Sequence, residues 1–377
     1  MHNFQILFSC GNRDSERKQP KMVLPVNGKF NCFKTQMFFS WTWQWQRMQI
    51  IRGSIFAVSL VVLGIMSIPS FAAEQQAAPK TSAFSLRWEN DTFGNTDENY
   101  SNGISFALTR KGKGLLGWVW DLAGNVEGER FATYELTQLE FNPSNLILSN
   151  PDPTDRPYAG LLYLGATTHL QRDDSLHSLK LMAGVVGPVS FAEGLQRSTH
   201  SLIGSHTPNG WDYQLKNEPI INLLYEYRHK YRFTPDDSPV TVEMIPMGGA
   251  FLGNYLIQAE AEVQLRIGYH PDDFGATVLR GVGYLPFTPE DKAAQWGFYL
   301  FAGGAANLVA RNLTLDGNTF ANSRSVDKRL FLPAAEFGAS LWTTWFKTTV
   351  SYVMWGREFY GQPEREDYGS ILLTFFF

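Results

Sequence analysis

From residue 83 onward the chain repeats one device. Stretches of about ten residues alternate apolar with polar side chains, and each ends in a break rich in Gly, Asn, Asp or Pro. Phe84, Leu86 and Trp88 alternate with Ser85, Arg87 and Glu89; Ile104, Phe106 and Leu108 alternate with Ser105, Ala107 and Thr109. Later, Tyr299, Phe301, Gly303 and Ala305 share one face, and Trp342, Phe346 and Val350 flank a tight turn. A period of two belongs to extended chain, because successive side chains leave a strand on opposite faces. The pattern predicts about twelve strands, near 83–91, 100–110, 131–141, 158–171, 176–187, 218–233, 238–252, 255–269, 294–310, 331–343, 345–358 and 367–377. An even number of antiparallel strands is what a bacterial single-chain barrel needs.

The connections sort by length. With the N-terminus on the periplasmic side, the turns at 172–175 and 234–237 fall inside, and the long pieces at 142–157, 188–217 and 311–330 fall outside, the habit of outer-membrane barrels. The connections at 111–130 and 270–293 and the short one after Leu341 fit that rule less well. The last strand ends on Phe375, Phe376 and Phe377. In water such an end would fray; in a membrane barrel it closes the sheet and sits in an aromatic girdle. A soluble β-sandwich is the competing fold.

The one long apolar run is Ile55 to Ile68, with Arg52 before it and Ser70-Phe71-Ala72-Ala73 after it. That is the build of a secretory signal with a small-x-small cleavage site. A start at Met48 and cleavage after Ala72 are expected, giving a mis-assigned extension at 1–47, a signal peptide at 48–72 and a barrel at 73–377. A single membrane anchor is the alternative, although the run is short for a span of about 20 residues. No apolar run of that length follows residue 73, which excludes a helical membrane domain in the mature part.

Composition sharpens this little by little. Of 377 residues 44% are hydrophobic and 14% aromatic, with 11 Trp, 15 Tyr, 28 Phe and 33 Gly, which suits short strands and interfacial aromatics. A net charge of -4 offers no basic surface for nucleic acid. Both cysteines, Cys10 and Cys32, precede Met48, so the exported part carries no disulfide.

Four clusters could carry chemistry. Glu89-Asn90-Asp91 ends the first strand and faces Asn99-Tyr100-Ser101-Asn102-Gly103 across the hairpin, gathering oxygen donors at a barrel rim; such hard donors suit calcium, and the same residues also make ordinary hairpins. Phe191 to Ile203 has helical period, with Phe191, Leu195 and Leu202 on one face and Glu193, Gln196, Arg197 and His200 on the other. Gln196 and His200, four apart, aim at one spot, and histidine is the natural base near neutral pH. Asp155-Arg156-Pro157-Tyr158 enters strand four, where Arg156 either meets a phosphate or carboxylate or pairs with Asp155 or Glu140. Gly210 to Pro219 carries Trp211 and Tyr213, suited to a lipid interface or to anchoring strand six. His169, His177 and His229 read as strand residues, His206 and His270 as loop residues.

In order and spacing these clusters resemble the outer-membrane lipid A 3′-O-deacylase family: Asn90-Asp91 ending strand one, Tyr100-Ser101 opening strand two, Asp155-Arg156 opening strand four, Gln196 to His200 in a loop helix followed by Leu202-Ile203-Gly204, and Asp367-Tyr368 leading to Phe377. The resemblance covers nearly all of 82–377. It implies an all-β, twelve-stranded antiparallel transmembrane barrel with a short helix in an extracellular loop. It also implies a Ca2+-dependent ester hydrolase that removes the 3′-linked acyloxyacyl chain from lipid A in the outer membrane. Carried over by position, it makes His200 the base that activates water and Gln196 its polar partner. Asn90 and Ser101 complete the catalytic set, Asp91 is the metal ligand with Asn90 beside it, and Arg156 and Arg197 contact substrate. Ser101 stands where a family member has threonine, keeping the hydroxyl. A family member also has a Lys- and Arg-rich stretch before the Asp-Arg pair, whereas Asn142 to Thr154 has neither residue; Arg156 and Arg197 then compensate, or the substrate is less phosphorylated. An outer-membrane phospholipase and a non-enzymatic barrel are the alternatives.

Overall fold

The computed structural model describes residues 81–94, 98–122, 124, 127–235, 238–271, 273–275 and 295–377. The expected extension at 1–47 and signal peptide at 48–72 lie outside the described residues.

Alternation becomes strand throughout. The strands are β1 (Ser82–Asn90), β2 (Asn99–Lys111), β3 (Glu129–Asn142), β4 (Ala159–Arg172), β5 (Ser175–Val186), β6 (Glu218–His229, resuming at Tyr231–Arg232), β7 (Val240–Gly253), β8 (Leu256–Tyr269), β9 (Trp296–Asn312), β10 (Phe331–Thr343), β11 (Phe346–Trp355) and β12 (Glu366–Phe376). Each pairs antiparallel with its sequence neighbour, and β1 pairs with β12 from Ala83↔Phe376 to Asn90↔Gly369, which closes a twelve-stranded barrel. Phe377 exchanges backbone hydrogen bonds with Ser82 at 3.0 and 3.1 Å, so the terminal aromatics seal the seam. Among the described residues three short α-helices sit in connections: α1 (Trp118–Leu122), α2 (Ala192–Ile203) and α3 (Leu313–Asp316).

The polarity of the two faces is inverted relative to a water-soluble protein. On β1, Ser85, Arg87 and Glu89 are buried in the interior while Phe84 and Trp88 are about 40% exposed on the outer wall. The same holds around the sheet, with Phe106, Leu164, Leu223, Leu265, Leu300 and Phe337 all outward. In water such a surface would aggregate; in hydrocarbon it is the favoured face. No helix among the described residues is long and apolar enough to cross a membrane; the strands cross it.

The interior is filled. One apolar cluster takes residues from β2 to β12, among them Tyr100, Leu139, Met182, Phe251, Val309, Trp355 and Tyr368. Toward the end that holds the chain ends of the barrel, ion pairs take over: Arg266 meets Glu243 at 2.5 Å and Asp273 at 2.6 Å, and Lys347 also pairs with Asp273. Turns 173–174 and 344–345 lie at that end, but β2 and β3 are also joined there by a longer piece and the two-residue turn 254–255 lies at the opposite end, so the short-loop rule has exceptions on both sides. The opposite end carries 91–98, 143–158, 187–217, 313–330 and 356–365, and it is there that the polar clusters gather.

Candidate functional site

Register builds the site on the outer wall. Asn90 on β1 is the Cα partner of Asn102 on β2, Asn102 of Glu140 on β3, and Glu140 of Gly160 on β4. Cross-strand partners share a face, and the row alternates with inward Glu89, Gly103 and Leu139. Four strands thus bring outward positions into one line near the rim, where lipid-facing residues would otherwise be apolar. Trp88 joins from one rung below, its Nε1 donating to Asn102 Oδ1 at 3.1 Å.

A β-bulge sharpens the line. The β2–β3 register slips between Tyr100 and Asn102, leaving Ser101 as the extra residue. Bulges re-aim side chains; this one turns Ser101 Oγ to accept a hydrogen bond from Asn142 Nδ2, while the Ser101 carbonyl accepts one from Asn90 Nδ2 at 2.8 Å. Asn90 Oδ1 accepts the Thr92 amide at 2.9 Å, the Asx turn that starts the 3-10 turn Asp91–Gly94. Asp91 is buried and accepts the Glu98 amide at 2.6 Å. Asn99, the partner of Asn142, adopts φ 63°, a left-handed conformation that asparagine tolerates better than most residues. The Oδ1 atoms of Asn99 and Asn142 are buried and accept no hydrogen bond.

Helix α2 covers this line from outside. It packs against β3 and β4 and is pinned there by Gln138 Nε2 donating to the Ser190 carbonyl at 2.5 Å. Gly160 makes the approach feasible: a Cβ there would lie 2.3 Å from Ala192 Cβ and from Ser190 Oγ. The chain enters the helix through Phe191 at φ 60°, a costly conformation for an aromatic residue, and leaves it through Gly204. Ala192, Gln196 and His200 recur every fourth position and are all buried, so one side of the helix faces the wall.

That assignment corrects the sequence reading of the helix. Phe191 and Leu202, grouped on one face by the period, are 72% and 87% exposed, and the polar face opposite them divides. Gln196 and His200 turn inward, whereas Arg197 pairs with Glu193 at 3.0 Å on the exposed side. Gln196 Oε1 accepts from Trp211 Nε1 at 2.7 Å, which leaves its buried Nε2 without a hydrogen-bond partner. His200 Nδ1 lies 2.6 Å from the His206 carbonyl. A carbonyl only accepts, so Nδ1 carries the proton and Nε2 is the basic nitrogen of the neutral ring. Trp211 packs against Tyr158 in a tilted pair with ring centroids 4.8 Å apart and closes a small core with Leu146 and Ala192, tying the helix loop to the β3–β4 loop.

Arg156 is enclosed. Its guanidinium reaches Glu358 at 2.7 Å, Thr314 at 3.1 Å and Glu366 at 4.0 Å and lies over the Phe141 ring. Of the two roles open from sequence, the structure places it in an ion pair, with partners from β12 and the loop before it instead of Asp155 or Glu140. It clamps three loops together behind the wall. Asn99 belongs to the rim cluster of oxygen donors expected from sequence, whereas Glu140 and Asn142 join it only through register; the outward position of Glu140 on an otherwise lipid-facing register was the available signal.

Fold and site together define a bacterial outer-membrane β-barrel with a row of polar residues on its outer wall covered by a loop helix. The chain belongs to the family described as Outer membrane protein LpxR, whose model matches residues 56–377. Among solved structures it is similar to LpxR from Salmonella typhimurium, with 18% identity, a TM-score of 0.63, and 78% of this chain and 100% of that one covered. A looser likeness is to the β domain of the Bordetella autotransporter BrkA, with 10% identity, a TM-score of 0.41, and 79% of this chain and 100% of that one covered. No curated protein matches the chain by sequence.

Proposed function

We propose that the protein is a calcium-dependent lipid A deacylase that hydrolyses the 3′-linked acyloxyacyl ester, with water activated by His200 as nucleophile. Family membership supports deacylation of lipid A. The observation that carries the chemistry is His200 buried on the wall side of α2 with Nδ1 committed to the His206 carbonyl. The Nε2 lone pair then takes a proton from water as that water attacks the ester. Gln196, held through its oxygen by Trp211, offers its NH2 group to the ester oxygens.

The rim oxygens fit calcium by chemistry: the Asp91 carboxylate, the Ser101 hydroxyl and the amide oxygens of Asn99 and Asn142 are hard donors. Among the described residues no group of three His, Cys, Asp or Glu side chains gathers as a metal centre, so the ion would be held by a mixed set with Asp91 as its carboxylate. When bound, it supplies Lewis-acid polarisation of the ester carbonyl. Asn90 positions Asp91 through its Asx turn and Ser101 through its carbonyl. In this reading Arg197, paired with Glu193 at the exposed edge of α2, meets an anionic headgroup, and Arg156 acts from behind by fixing the β3–β4 loop.

Location suits the task. The scissile ester of a membrane lipid lies about 15 Å from the midplane, and a cleft on the outer wall reaches it without extracting acyl chains into water, which costs about 0.8 kcal/mol per CH2. A filled interior gives no support to a pore. The test is mass spectrometry of lipid A from cells expressing the wild type or His200→Ala. Loss of one acyloxyacyl unit with the wild type alone supports the reading; unchanged lipid A beside altered glycerophospholipid would favour a phospholipase.

A further inference from the structure

The outward row that holds the polar line does not stop at Asn90. Across the closing seam its partner is Gly369 on β12, then Tyr352 on β11, then Phe337 on β10. Here the wall has a dip of about 620 Å3, bordered by Leu300, Phe337, Ala339, Val350, Tyr352 and Ile371, with Gly369 at the end nearest Asn90. The alanine methyl at 339 and the bare backbone of Gly369 make the dip; Phe337, Leu300 and Val350, between 41% and 50% exposed, wall it.

The row also changes depth. Gly160 is the second residue of β4 from the rim and Gly369 the fourth of β12, whereas Phe337 lies mid-strand on β10. Strands in such barrels tilt by roughly 35–45°, so a row perpendicular to them descends from the headgroup level at Glu140 and Asn90 into the hydrocarbon at Phe337. At the rim end Tyr352 Oη donates to Asp367 at 3.0 Å, and Asp367 pairs with Arg365 at 2.8 Å, marking where polar surface gives way to apolar.

We propose that this groove is a subsite for a retained hydrocarbon chain of the same lipid molecule whose ester meets His200. The claim rests on the deacylase reading. The lipid straddles β1: the chain to be removed lies on the α2 side, and a chain that is kept lies along β12 to β9. What recommends a lipid chain is continuity, since one cross-strand row joins groove and cleft, and depth, since the groove enters the bilayer core. Between helix or strand surfaces and lipid tails there is no hydrophobic gain, so the groove acts through close packing and by fixing orientation.

The test uses the His200→Ala barrel in phosphatidylglycerol vesicles containing lipid A with a diazirine near the end of a chain that deacylation leaves in place. A second sample carries the diazirine on phosphatidylglycerol. Expected is crosslinking by lipid A concentrated at 337–339 and 350–352, several-fold above the wall around Leu223 and Leu265, and absent as a concentration with phosphatidylglycerol. Even labelling around the wall, or equal concentration with both lipids, overturns the subsite. In active protein, Ala339→Phe should lower the ratio of lipid A turnover to turnover of a short-chain water-soluble ester about tenfold, the lower end of what a changed apolar contact gives; an unchanged ratio overturns it too. If the wild type leaves lipid A intact, the deacylase reading has failed, and the crosslinking pattern still decides the groove on its own.

Discussion

Asp273 and the Asn99–Asn142 pair are buried at opposite ends of the barrel and are treated in opposite ways. Asp273 stands among Lys347, Arg266, the Tyr299 hydroxyl and the Gly275 amide, so every oxygen has donors. Asn99 and Asn142 each keep a buried oxygen that accepts nothing, and Gln196 nearby keeps a buried nitrogen that donates to nothing. A closed network holds structure; buried polar atoms left open cost stability and persist where a ligand completes them. The filled end is therefore read as scaffold and the open rim as the working part.

That contrast breaks if variants at the two ends behave alike. The largest effect is expected at His200→Ala, with turnover reduced by about 10²–10⁴-fold while the heat-resistant folded band on gels is unchanged. Lys347→Ala should do the reverse. Removing one partner of a buried ion pair costs about 3–5 kcal/mol, read as a lower urea midpoint in vesicles, with lipid A turnover per folded molecule retained. The same cluster predicts a pH dependence. Burial would push the Asp273 carboxyl up, but Lys347 and Arg266 hold it well below its ordinary value. A depressed folded value means stabilisation present above the unfolded carboxylate range, near 3.9, and lost as pH falls through the folded value below it. Unfolding midpoints should accordingly be flat in this contribution from pH 5 to 8 in the wild type and decline only in strong acid.

Smaller effects sharpen the comparison. Asp91→Ala should raise the calcium concentration for half-maximal turnover by about 10–100-fold, a titration that chelator and added calcium make direct. Trp211→Phe leaves the Gln196 oxygen without its donor, costing about 1–3 kcal/mol, measured as a several-fold loss in turnover with the helix still packed. Arg197→Ala, an exposed pair on the outer side of α2, should change stability by less than about 0.5 kcal/mol; any loss of activity with it reports headgroup contact.

Much of the barrel was legible because alternation is a local signal. Phe84, Leu86 and Trp88 against Ser85, Arg87 and Glu89 state both the strand and its two faces. The bounds of α2 were legible from its period. Its buried side was not, because amphipathicity names two faces without naming the solvent: in lipid, Leu202 and Phe191 turn outward and Gln196 and His200 turn to a polar wall. Partners far apart in sequence were also hidden. Nothing near Arg156 points to Glu358 and Glu366, and the Asn99–Asn142 pairing depends on a one-residue bulge at Ser101 that composition does not announce. Glu140 was visible as a charge and read only as a partner for Arg156, since its place beneath α2 follows from register across three strands.

The central claim is that water, activated at the outer wall, cleaves the ester. Purified barrel in vesicles with lipid A, calcium and 18O-labelled water, analysed by mass spectrometry of both products, tests it most directly. The account predicts a lipid A lacking its 3′ acyloxyacyl unit, one 18O atom in the carboxylate of the released acid and no acylated protein, with His200→Ala giving neither product. Intact lipid A, or an acyl group carried covalently on the protein, would contradict it.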